Sequence, residues 1–514
     1  MIVSVRKLYR LALLLCVGLG VFAENATAHE VTIDLSKEHQ VIDHFGASDC
    51  WSMQKIGGWS EPNRKRIAQL LFSQFEGIGL SAWRFNIGAG IDHKNIPPPW
   101  RTAETFEVAE GKYDWSRQSN EQRMLFAAKR LGVETFIAFA NSPTARMTRN
   151  GRTQNTEGPD TTNLKEGYVG QYARYLADIL THFRDDPDPA KRIKFDWISP
   201  INEPQWEWNE AWQEGNRASN KDIITVLVAL QSELERQQLD TNILSPECGE
   251  INHMWEPLEW MGEKYGEPYG DYLDAICGNP SVNTFLGNVI SCHAYYSDLV
   301  PDRLVPRRKQ LRAALDEYPG WRYWQTEYCV MQGANDQGGR GRDLGMDTAL
   351  EVARVIHVDL VVANASAWSW WTAVSPEDYK DGLIFTDYKE DGDEENILPS
   401  KTLWALGHYS RFIRPGFKRV GLSGADDLEG VLGSAYRSPS NDQVVVVLLN
   451  QTEDETSVQL KLDAITASVR ADQVELFLTS DEADLEKQKT VRLDKPIVMP
   501  KRSIGTVIID LKAN

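Results

Sequence analysis

Short apolar runs alternate with longer amphipathic segments from about residue 45 to about residue 405 of the chain. Such runs are typical of parallel strands that are buried on both faces. Eight of them are predicted to be strands, ending near residues 46–48, 83–86, 136–139, 197–200, 243–245, 289–291, 323–326 and 367–370.

The segments between these runs follow helical spacing. The clearest one places apolar residues at i, i+3 and i+4 steps from Tyr168 to Phe183, and Ile223 to Leu234 repeats the pattern. Eight strand–helix alternations predict an α/β fold, a (β/α)₈ TIM barrel over residues 46–410. An open doubly wound sheet is the alternative, but no Gly-x-Gly-x-x-Gly motif follows the first run and eight repeats favour closure.

The pattern of apolar and polar residues changes after about Gly416. Residues 444–449 form one apolar run, residues 458–462 alternate, and residues 503–509 are rich in β-formers, with turn residues between these segments. This pattern predicts a small β-sandwich over residues 411–514. Residues 30–35 alternate as well, so residues 29–45 are predicted to add a strand to the same domain, which would be built from both termini.

The N-terminus has the order of a secretory signal. Arg6, Lys7 and Arg10 precede an apolar run over residues 11–22, and residues 26–28 are small. We therefore predict a signal peptide at residues 1–28 and a secreted or periplasmic protein. The run is too short to span a membrane, so no stable membrane insertion is expected. A first buried helix is the alternative interpretation.

Composition narrows the range of partners. The chain of 514 residues has a formal charge of −19 and no Lys/Arg-rich run, which argues against nucleic acid. Five scattered cysteines follow the signal segment, too irregular for a disulfide framework, although one bridge, such as Cys277 with Cys292, could form. No Cys-x-x-Cys or His-Glu-x-x-His spacing occurs, so no metal is expected. We expect a monomer.

Two glutamates meet the criterion for catalytic groups in a barrel, because they directly follow apolar runs at the carboxyl ends of strands. Asn202-Glu203-Pro204 ends the predicted fourth strand, and Glu327 ends the seventh. A partly desolvated glutamate suits acid catalysis, and an ionised partner across the cleft can attack an anomeric carbon. The alternative is that both are ordinary polar strand ends. Retention or inversion depends on their separation, which the sequence does not give.

The surrounding motifs resemble glycoside hydrolase family 30 over nearly the whole chain after residue 28. They comprise His44-Phe45-Gly46-Ala47-Ser48, Trp83-Arg84-Phe85-Asn86, Asn141-Ser142-Pro143, Asn202-Glu203-Pro204, Glu327, the crossover segment 401–416 and residues 500–504. The two glutamate motifs are shared by a whole clan of retaining barrels, whereas the first-strand and crossover segments are similar to this family. One departure occurs in the third-strand loop, where Arg146 stands in place of the usual Trp. Either the loop is shifted by one residue, or an apolar sugar contact has become polar.

The resemblance implies a role for each group. Glu327 would be the nucleophile and Glu203 the acid/base. Asn202 would hydrogen-bond the 2-hydroxyl of the sugar, and Arg84 would bind Glu327 and favour its ionised form. His293 and Tyr295 share a strand face, so they would contact a sugar hydroxyl and the nucleophile, although His293 could also be an ordinary structural histidine.

Aromatic residues at the predicted barrel mouth indicate a sugar substrate. These are Trp51, Trp206, Trp208, Trp212, Trp368, Trp370 and Trp371, of which about half are expected to be core. Trp370 or Trp371 is predicted to form the floor of the −1 site. Residues 205–209 would wall the leaving-group side with Trp206, while Asp49 and Trp51 follow the first strand and are predicted to bind substrate.

The family cuts β-linked glycans, and the loop sequences here are most similar to its galactanase-type branch. We therefore expect a retaining hydrolase of a neutral polysaccharide, β-1,6-galactan, with no cofactor. A β-1,6-glucanase, a xylanase or an exo-acting β-glycosidase is the alternative within the family. A catalytically silent carbohydrate-binding protein is an alternative of another class, but it would lack one of the two carboxylates. An esterase is disfavoured, since no Gly-x-Ser-x-Gly elbow is in place.

Overall fold

A computed structural model describes residues 28–387, 394–463, 469–470 and 473–513 of the chain. The predicted signal segment lies outside these residues except for its last position. Among the helices described, none is long and apolar enough to cross a membrane.

The larger domain is a closed barrel of eight parallel strands, numbered here first to eighth. They are His44–Ser48, Ala82–Asn86, Thr135–Phe139, Trp197–Ser199, the two-part strand Asn242–Ile243 and Pro246–Cys248, Val289–His293, Arg322–Glu327 and Ala367–Trp370. The first part of the fifth strand pairs with the fourth, and its second part pairs with the sixth. The eighth strand pairs with the first, so the ring has no free edge. The predicted barrel is confirmed.

Helices surround the barrel between successive strands. The main ones are Glu61–Phe72, Ser119–Arg130, Val169–Arg184, Asn220–Arg236, Glu259–Tyr265, Leu304–Leu315, Met346–Val361 and Lys401–Ser410, with short turns at Met53–Ile56, Pro99–Arg101, Ala145–Met147, Ile251–Met254 and Leu273–Cys277. The predicted stripe on Val169–Arg184 is buried against the barrel. Such a stripe accounts for the helix, since its apolar face has to be removed from water.

The smaller domain is a β-sheet structure to which both ends of the chain contribute. Its longer strands are His29–Val41, Lys418–Ser423, Val431–Arg437, Gln443–Asn450, Thr456–Leu462, Gln473–Thr479, Ile497–Met499 and Ser503–Asp510. Strand His29–Val41 runs antiparallel to Lys418–Ser423 and parallel to Thr456–Leu462. The predicted small domain from both termini is therefore confirmed. Short pairs of strands also occur, including the hairpin Glu107–Ala109 with Lys112–Tyr113 beside the barrel.

Strand Gln443–Asn450 joins the two domains, because both of its faces are buried. Val444, Val446 and Leu448 belong to the core of the smaller domain. Val445, Val447 and Leu449 belong to the core that includes the barrel. The uninterrupted apolar run in the sequence follows from this two-sided burial.

His408, on helix Lys401–Ser410, lies at the same junction and is fully buried. Its Nδ1 lies 2.8 Å from Thr506 Oγ1, and its Nε2 lies 2.9 Å from Thr479 Oγ1. Burial lowers the pKa of this imidazole to about 3. His408 therefore links the barrel to two strands of the smaller domain as a neutral group.

The five cysteines of the described residues are all buried and free. Cys292 Sγ faces Cys248 Sγ at 3.2 Å across the sixth and fifth strands. The Cys277–Cys292 bridge that the sequence left open does not form, and the adjacent strand places the Cys248 thiol beside Cys292 instead.

Candidate active site

Glu203 and Glu327 face each other at the carboxyl ends of the barrel strands. Glu327 is the last residue of the seventh strand, and Glu203 follows the fourth. A carboxylate oxygen of each, together with a ring nitrogen of His293, all lie within 4.8 Å of one another. Both side chains are buried, with 7% and 2% of the residue exposed. The barrel thus brings together two glutamates that are 124 residues apart in the sequence.

The backbone around Glu203 is unusual. Glu203 and Glu247 both have left-handed backbone angles, with φ of 46° and 58°. The Glu203 N–H donates to the Glu247 carbonyl oxygen at 2.8 Å. A Cβ at Gly249 would lie 2.5 Å from the Trp206 indole nitrogen and 2.8 Å from Glu203 Oε1, so only glycine fits there. Non-glycine residues in this region are strained, and such strain concentrates at functional sites.

Arg84, on the second strand, bridges two carboxylates. Its Nη1 donates to Glu327 Oε1 at 2.6 Å, and its Nη2 donates to Glu247 Oε2 at 2.7 Å. The guanidinium also lies over the Phe139 ring, 4.2 Å from its centroid. Its burial is complete, so both ion pairs are shielded from water. The expected contact between Arg84 and Glu327 is present.

His293 and Tyr295 extend the cluster from the sixth strand and the loop after it. His293 Nδ1 lies 3.0 Å from Glu203 Oε1 and 3.3 Å from Glu327 Oε2, and its Nε2 lies 3.5 Å from Glu247 Oε2. Burial lowers the pKa of His293, but the charges of Glu327 and the other carboxylates outweigh it and raise the pKa to about 10. The Tyr295 hydroxyl donates to Glu327 Oε2 at 3.1 Å.

The carboxylates of the cluster are not equivalent. Burial raises the pKa of Glu203, and the charge of Glu327 adds to the increase, against the opposing effect of His293. Burial also acts on Glu247, but the charge of Arg84 and the contact with His293 dominate and lower its pKa to about 2. Glu203 is thus the group that holds a proton most readily, and Glu247 is ionised.

Glu247 was not among the residues predicted from the sequence. It follows the fifth apolar run within Ser245-Pro246-Glu247, so the same strand-end criterion could have identified it. Because the fifth strand is interrupted before Pro246, the apolar run that would have identified Glu247 is broken in the sequence.

Glu203, His293 and Glu327 could also hold a metal ion by distance alone, and they are the one such group among the described residues. However, Arg84 already donates to Glu327 and supplies a positive charge to the cluster. A cation at the same place would be repelled by this guanidinium. Hydrogen bonding and ion pairing account for the arrangement without a metal.

Several polar side chains in and around the cluster have buried atoms with no partner in the described part of the chain, among them Asn202 and Asp49. Asn202, beside Glu203, has its Oδ1 in this state. Asp49, at the end of the first strand, accepts from the Asn86 backbone N–H at 2.9 Å through Oδ1, while Oδ2 has no partner. Burial raises the pKa of Asp49 well above its usual range. Buried polar atoms are normally satisfied, so these atoms are available to a bound molecule.

The tryptophans predicted at the mouth divide into two groups. Trp368 and Trp370 are fully buried, and Trp370 donates from its indole nitrogen to the Asp381 carbonyl at 2.7 Å. Trp371 remains half-buried and packs edge-on against Trp51, with ring centroids 5.4 Å apart. Of the two candidates at the end of the eighth strand, Trp371 is thus the one that reaches the surface.

The aromatic loop over residues 204–218 starts directly after Glu203. Trp206 and Trp208 are half-buried, and the Trp208 indole donates to the Glu203 carbonyl oxygen at 3.0 Å. Trp212 is 66% exposed.

The far end of this aromatic loop is fixed by Glu214, another residue missed in the sequence. Its carboxylate accepts from the Trp51 indole at 3.0 Å and from the Ala89 N–H at 2.9 Å. Burial raises the pKa of Glu214 to about 7. The loop is therefore held against the loops that follow the first and second strands.

Arg146, the departure in the third-strand loop, binds within the protein. It donates to both oxygens of Glu107, at 2.9 and 3.0 Å from Nη2, and to Gln171 Oε1 at 3.1 Å. The arginine thereby ties the loop to the neighbouring hairpin and helix.

Comparison with known proteins agrees with this geometry. Residues 28–385 match the model of O-glycosyl hydrolase family 30, and residues 416–507 match the family 30 β-sandwich domain. An endo-β-1,6-galactanase from Hypocrea rufa is 24% identical over 432 residues, covering 78% of each chain. A glucuronoxylanase from Bacillus subtilis is 21% identical over 491 residues, covering 95% of this chain and 93% of its own.

The crystal structure of a conserved exported protein from Bacteroides fragilis superposes with a TM-score of 0.82 at 28% identity, covering 93% of this chain and 99% of its own. The family models together match most of the described residues, across both domains. The chain therefore belongs to glycoside hydrolase family 30 and is a glycoside hydrolase.

Proposed function

We propose that this chain cleaves β-1,6-galactan by double displacement with retention of configuration. Glu327 is the nucleophile and Glu203 is the acid/base. The observation that carries the double displacement is the close approach of the two glutamates, one carboxylate oxygen of each lying within 4.8 Å of the other. Retaining enzymes hold their carboxyl groups roughly 5–5.5 Å apart, whereas inverting enzymes need about 6.5–9.5 Å to admit a water.

The first step uses the asymmetry of the cluster. Arg84 and Tyr295 both donate to Glu327, which fixes the orientation of its carboxylate towards the anomeric carbon. Glu203 holds a proton because burial raises its pKa, and it donates that proton to the glycosidic oxygen as the bond breaks. In the second step Glu203 removes a proton from water, which attacks the glycosyl-enzyme and releases Glu327.

The same cluster suggests how the sugar is held. The unpartnered Oδ1 of Asn202 is positioned beside Glu203 to accept from the 2-hydroxyl, a contact that strengthens in the transition state. Trp371 offers aromatic surface at the mouth, supported from below by the buried Trp51, and Trp206 and Trp212 lie on the loop beside the acid/base. Asp49 Oδ2 is available to a further hydroxyl.

The choice of galactan rests on the galactanase relative, which matches this chain over 78% of its length. Export of the enzyme, which a polymeric substrate requires, is supported by the similar exported protein from Bacteroides fragilis.

The test is hydrolysis of β-1,6-galactan, β-1,6-glucan and glucuronoxylan by the wild type and Glu327→Ala, with product sizes measured. Glu233→Ala is the matched control, since Glu233 lies on an outer helix and pairs with Arg236. We expect galacto-oligosaccharides from the wild type and the control only, with the first product in the β configuration by NMR. Cleavage of another polymer would overturn the substrate, and an α product would overturn the double displacement.

A further inference from the structure

Glu247 is a third carboxylate in the catalytic cluster, with no role in the chemistry proposed above. It lies on the second part of the fifth strand, and its side chain is fully buried. Its Oε2 accepts from Arg84 at 2.7 Å and lies 3.5 Å from His293 Nε2. Its carbonyl oxygen accepts the Glu203 N–H. Glu247 therefore contacts three residues of the cluster, although it is not one of the two glutamates that face the substrate.

Glu247 is one of three carboxyl groups that surround His293. On one side of the ring, Nδ1 faces Glu203 and Glu327, and on the other side Nε2 faces Glu247. A neutral imidazole that donates from Nε2 to Glu247 would turn its Nδ1 lone pair towards Glu203 and Glu327. Only the proton of Glu203 could then satisfy this lone pair, and that proton would be withheld from the leaving group. An imidazolium donates from both nitrogens and satisfies both sides. The geometry thus favours a permanent cation at His293.

The charged groups that face this cation come from every strand around it. Arg84 is on the second strand, Glu203 follows the fourth, Glu247 is on the fifth and Glu327 is on the seventh, with the neutral hydroxyl of Tyr295 beside His293. In the proposed mechanism Glu327 attacks as a carboxylate, so Glu327 and Glu247 together balance the positive charges of Arg84 and His293. Glu203 therefore sits beside a neutral set of charges, and its burial favours the protonated form.

We propose that Glu247 is a positioning residue that holds His293 as an imidazolium and keeps the cluster neutral before the reaction, so that Glu203 stays protonated until it is needed. The inference rests on the proposed double displacement. When Glu327 becomes esterified it loses its negative charge, and the set around Glu203 becomes positive by one unit. Glu203 then releases its proton more readily and acts as the base. Without Glu247 the positive charge would be present from the start, and the acid would be weakened.

The test compares Glu247→Gln with the wild type on aryl β-glycosides whose leaving groups differ in acidity. The glycosyl part is the disaccharide of the polymer that the wild type cleaves. A 2,4-dinitrophenyl leaving group needs no proton, whereas an alkyl-like or unsubstituted phenyl group does. We expect kcat/KM to fall about 100-fold or more for the phenyl glycoside, a loss typical of impaired acid catalysis. The fall in kcat/KM for the dinitrophenyl glycoside should be smaller than this by a factor of at least about ten.

The pH profile supplies a second readout. The alkaline limb of kcat/KM should move to lower pH by about one unit or more in Glu247→Gln, because Glu203 is left beside a net positive charge. Glu247→Asp, which retains the carboxylate, should restore part of the profile. Asp359→Asn is the control for loss of a buried carboxylate, since Asp359 pairs with Arg308 outside the cluster at 2.7 Å. Asp359→Asn should lower the free energy of unfolding without moving the alkaline limb of kcat/KM.

A spectroscopic readout separates this inference from the proposed function. Protein labelled with ¹⁵N-histidine, with His293 assigned by comparison with His293→Gln, should show a cationic ring from pH 5 to 8 in the wild type. In Glu247→Gln the ring should lose its proton at a lower pH than in the wild type, although it should still be cationic at the pH of the shifted alkaline limb. A neutral His293 in the wild type, or equal losses on both glycosides with an unmoved limb, would overturn the role of Glu247. If the wild type cleaves no glycoside, the proposed function fails, and the NMR result still decides the inference. Should Glu247→Gln not fold, Glu247→Asp gives the same comparison with a smaller expected shift.

Discussion

Glu203 combines a left-handed backbone with a carboxyl group whose pKa burial raises. This residue comes four positions after Ser199, the last residue of the fourth strand, and its side chain faces His293 and Glu327. Gly249 leaves the space that this side chain occupies. The acid/base position therefore depends on the fifth strand as well as the fourth.

Replacement of Glu203 by Gln should affect substrates according to their leaving groups. Hydrolysis of an unactivated glycoside should fall by about 10²–10⁴-fold, because no proton reaches the leaving oxygen. With a dinitrophenyl glycoside the first step should survive, and the glycosyl-enzyme should accumulate because no base activates water. Burst kinetics would show this, and azide, which needs no base, should restore turnover. Equal losses on both substrates, with no effect of azide, would contradict the acid/base role.

At the scale of single residues, the sequence predicted those that directly follow an apolar run at the carboxyl end of a strand. Glu203 and Glu327 directly follow apolar runs, and both lie in the site. Glu247 obeys a weaker form of the same criterion and was missed, because the fifth strand is divided. The contacts of Arg84 join residues 163 and 243 positions apart, so no local pattern encodes them.

Among the elements, the aromatic loop over residues 204–218 shows how far a pattern can predict. Its aromatic composition predicted that it forms a wall of the substrate cleft beside Glu203, and Trp206, Trp208 and Trp212 lie on this loop. The pattern did not indicate how the loop is held, because Glu214 binds Trp51, a residue 163 positions away. Likewise, Trp370 and Trp371 are adjacent in sequence, but Trp370 is the last residue of the eighth strand and is buried, whereas Trp371 follows the strand and is half-buried.

Glu214→Gln should loosen this loop. A carboxylate accepts from both the Trp51 indole and the Ala89 N–H, whereas an amide offers one acceptor and turns an N–H₂ towards the other donor. We expect the free energy of unfolding to fall by about 1–3 kcal/mol and KM to rise more than kcat falls. Thermal unfolding and steady-state kinetics measure this. Glu210→Gln, exposed on the same loop, is the control, and an unchanged KM would show that Glu214 does not position the loop.

In the whole molecule, one strand serves two cores. The faces of Gln443–Asn450 alternate between the core of the smaller domain and the core that includes the barrel. The sequence predicted the two domains separately, and it predicted the strand itself from its apolar run. It did not show that the two domains share that strand, because a run that is apolar on both faces does not specify what covers each face.

Two neighbouring substitutions test this sharing. Val446→Ala and Val447→Ala remove the same two methyl groups from opposite faces of the strand. Each should lower the free energy of unfolding by about 2 kcal/mol. In calorimetry both variants should shift one common transition. Two separate transitions, each sensitive to one of the variants, would contradict a shared cooperative unit.

The pH dependence of stability should carry a contribution from His408. Its folded-state pKa of about 3 lies below the ordinary value of 6.5, so its stabilising contribution is complete above about pH 6.5 and is lost as the pH falls towards 3. We expect His408→Gln to lose less stability than the wild type between pH 6.5 and 4. Midpoints of thermal unfolding across this range measure the slope, with exposed His93→Gln as the control. Parallel slopes for the wild type and His408→Gln would contradict this assignment.

The strand His29–Val41 has a consequence for biosynthesis. It pairs with Lys418–Ser423 and Thr456–Leu462. Ile33 is therefore synthesised roughly 390 residues before its pairing partner Leu422. At ~5–20 residues per second, about 20–80 s separate the appearance of the strand from that of its partner. Throughout this interval both backbone edges of the strand lack the partners that they have in the folded chain, and Val31, Ile33 and Leu35 have no core to enter. The first strand to be synthesised is therefore among the last to complete its pairing, so the smaller domain can close only after translation has passed Leu462.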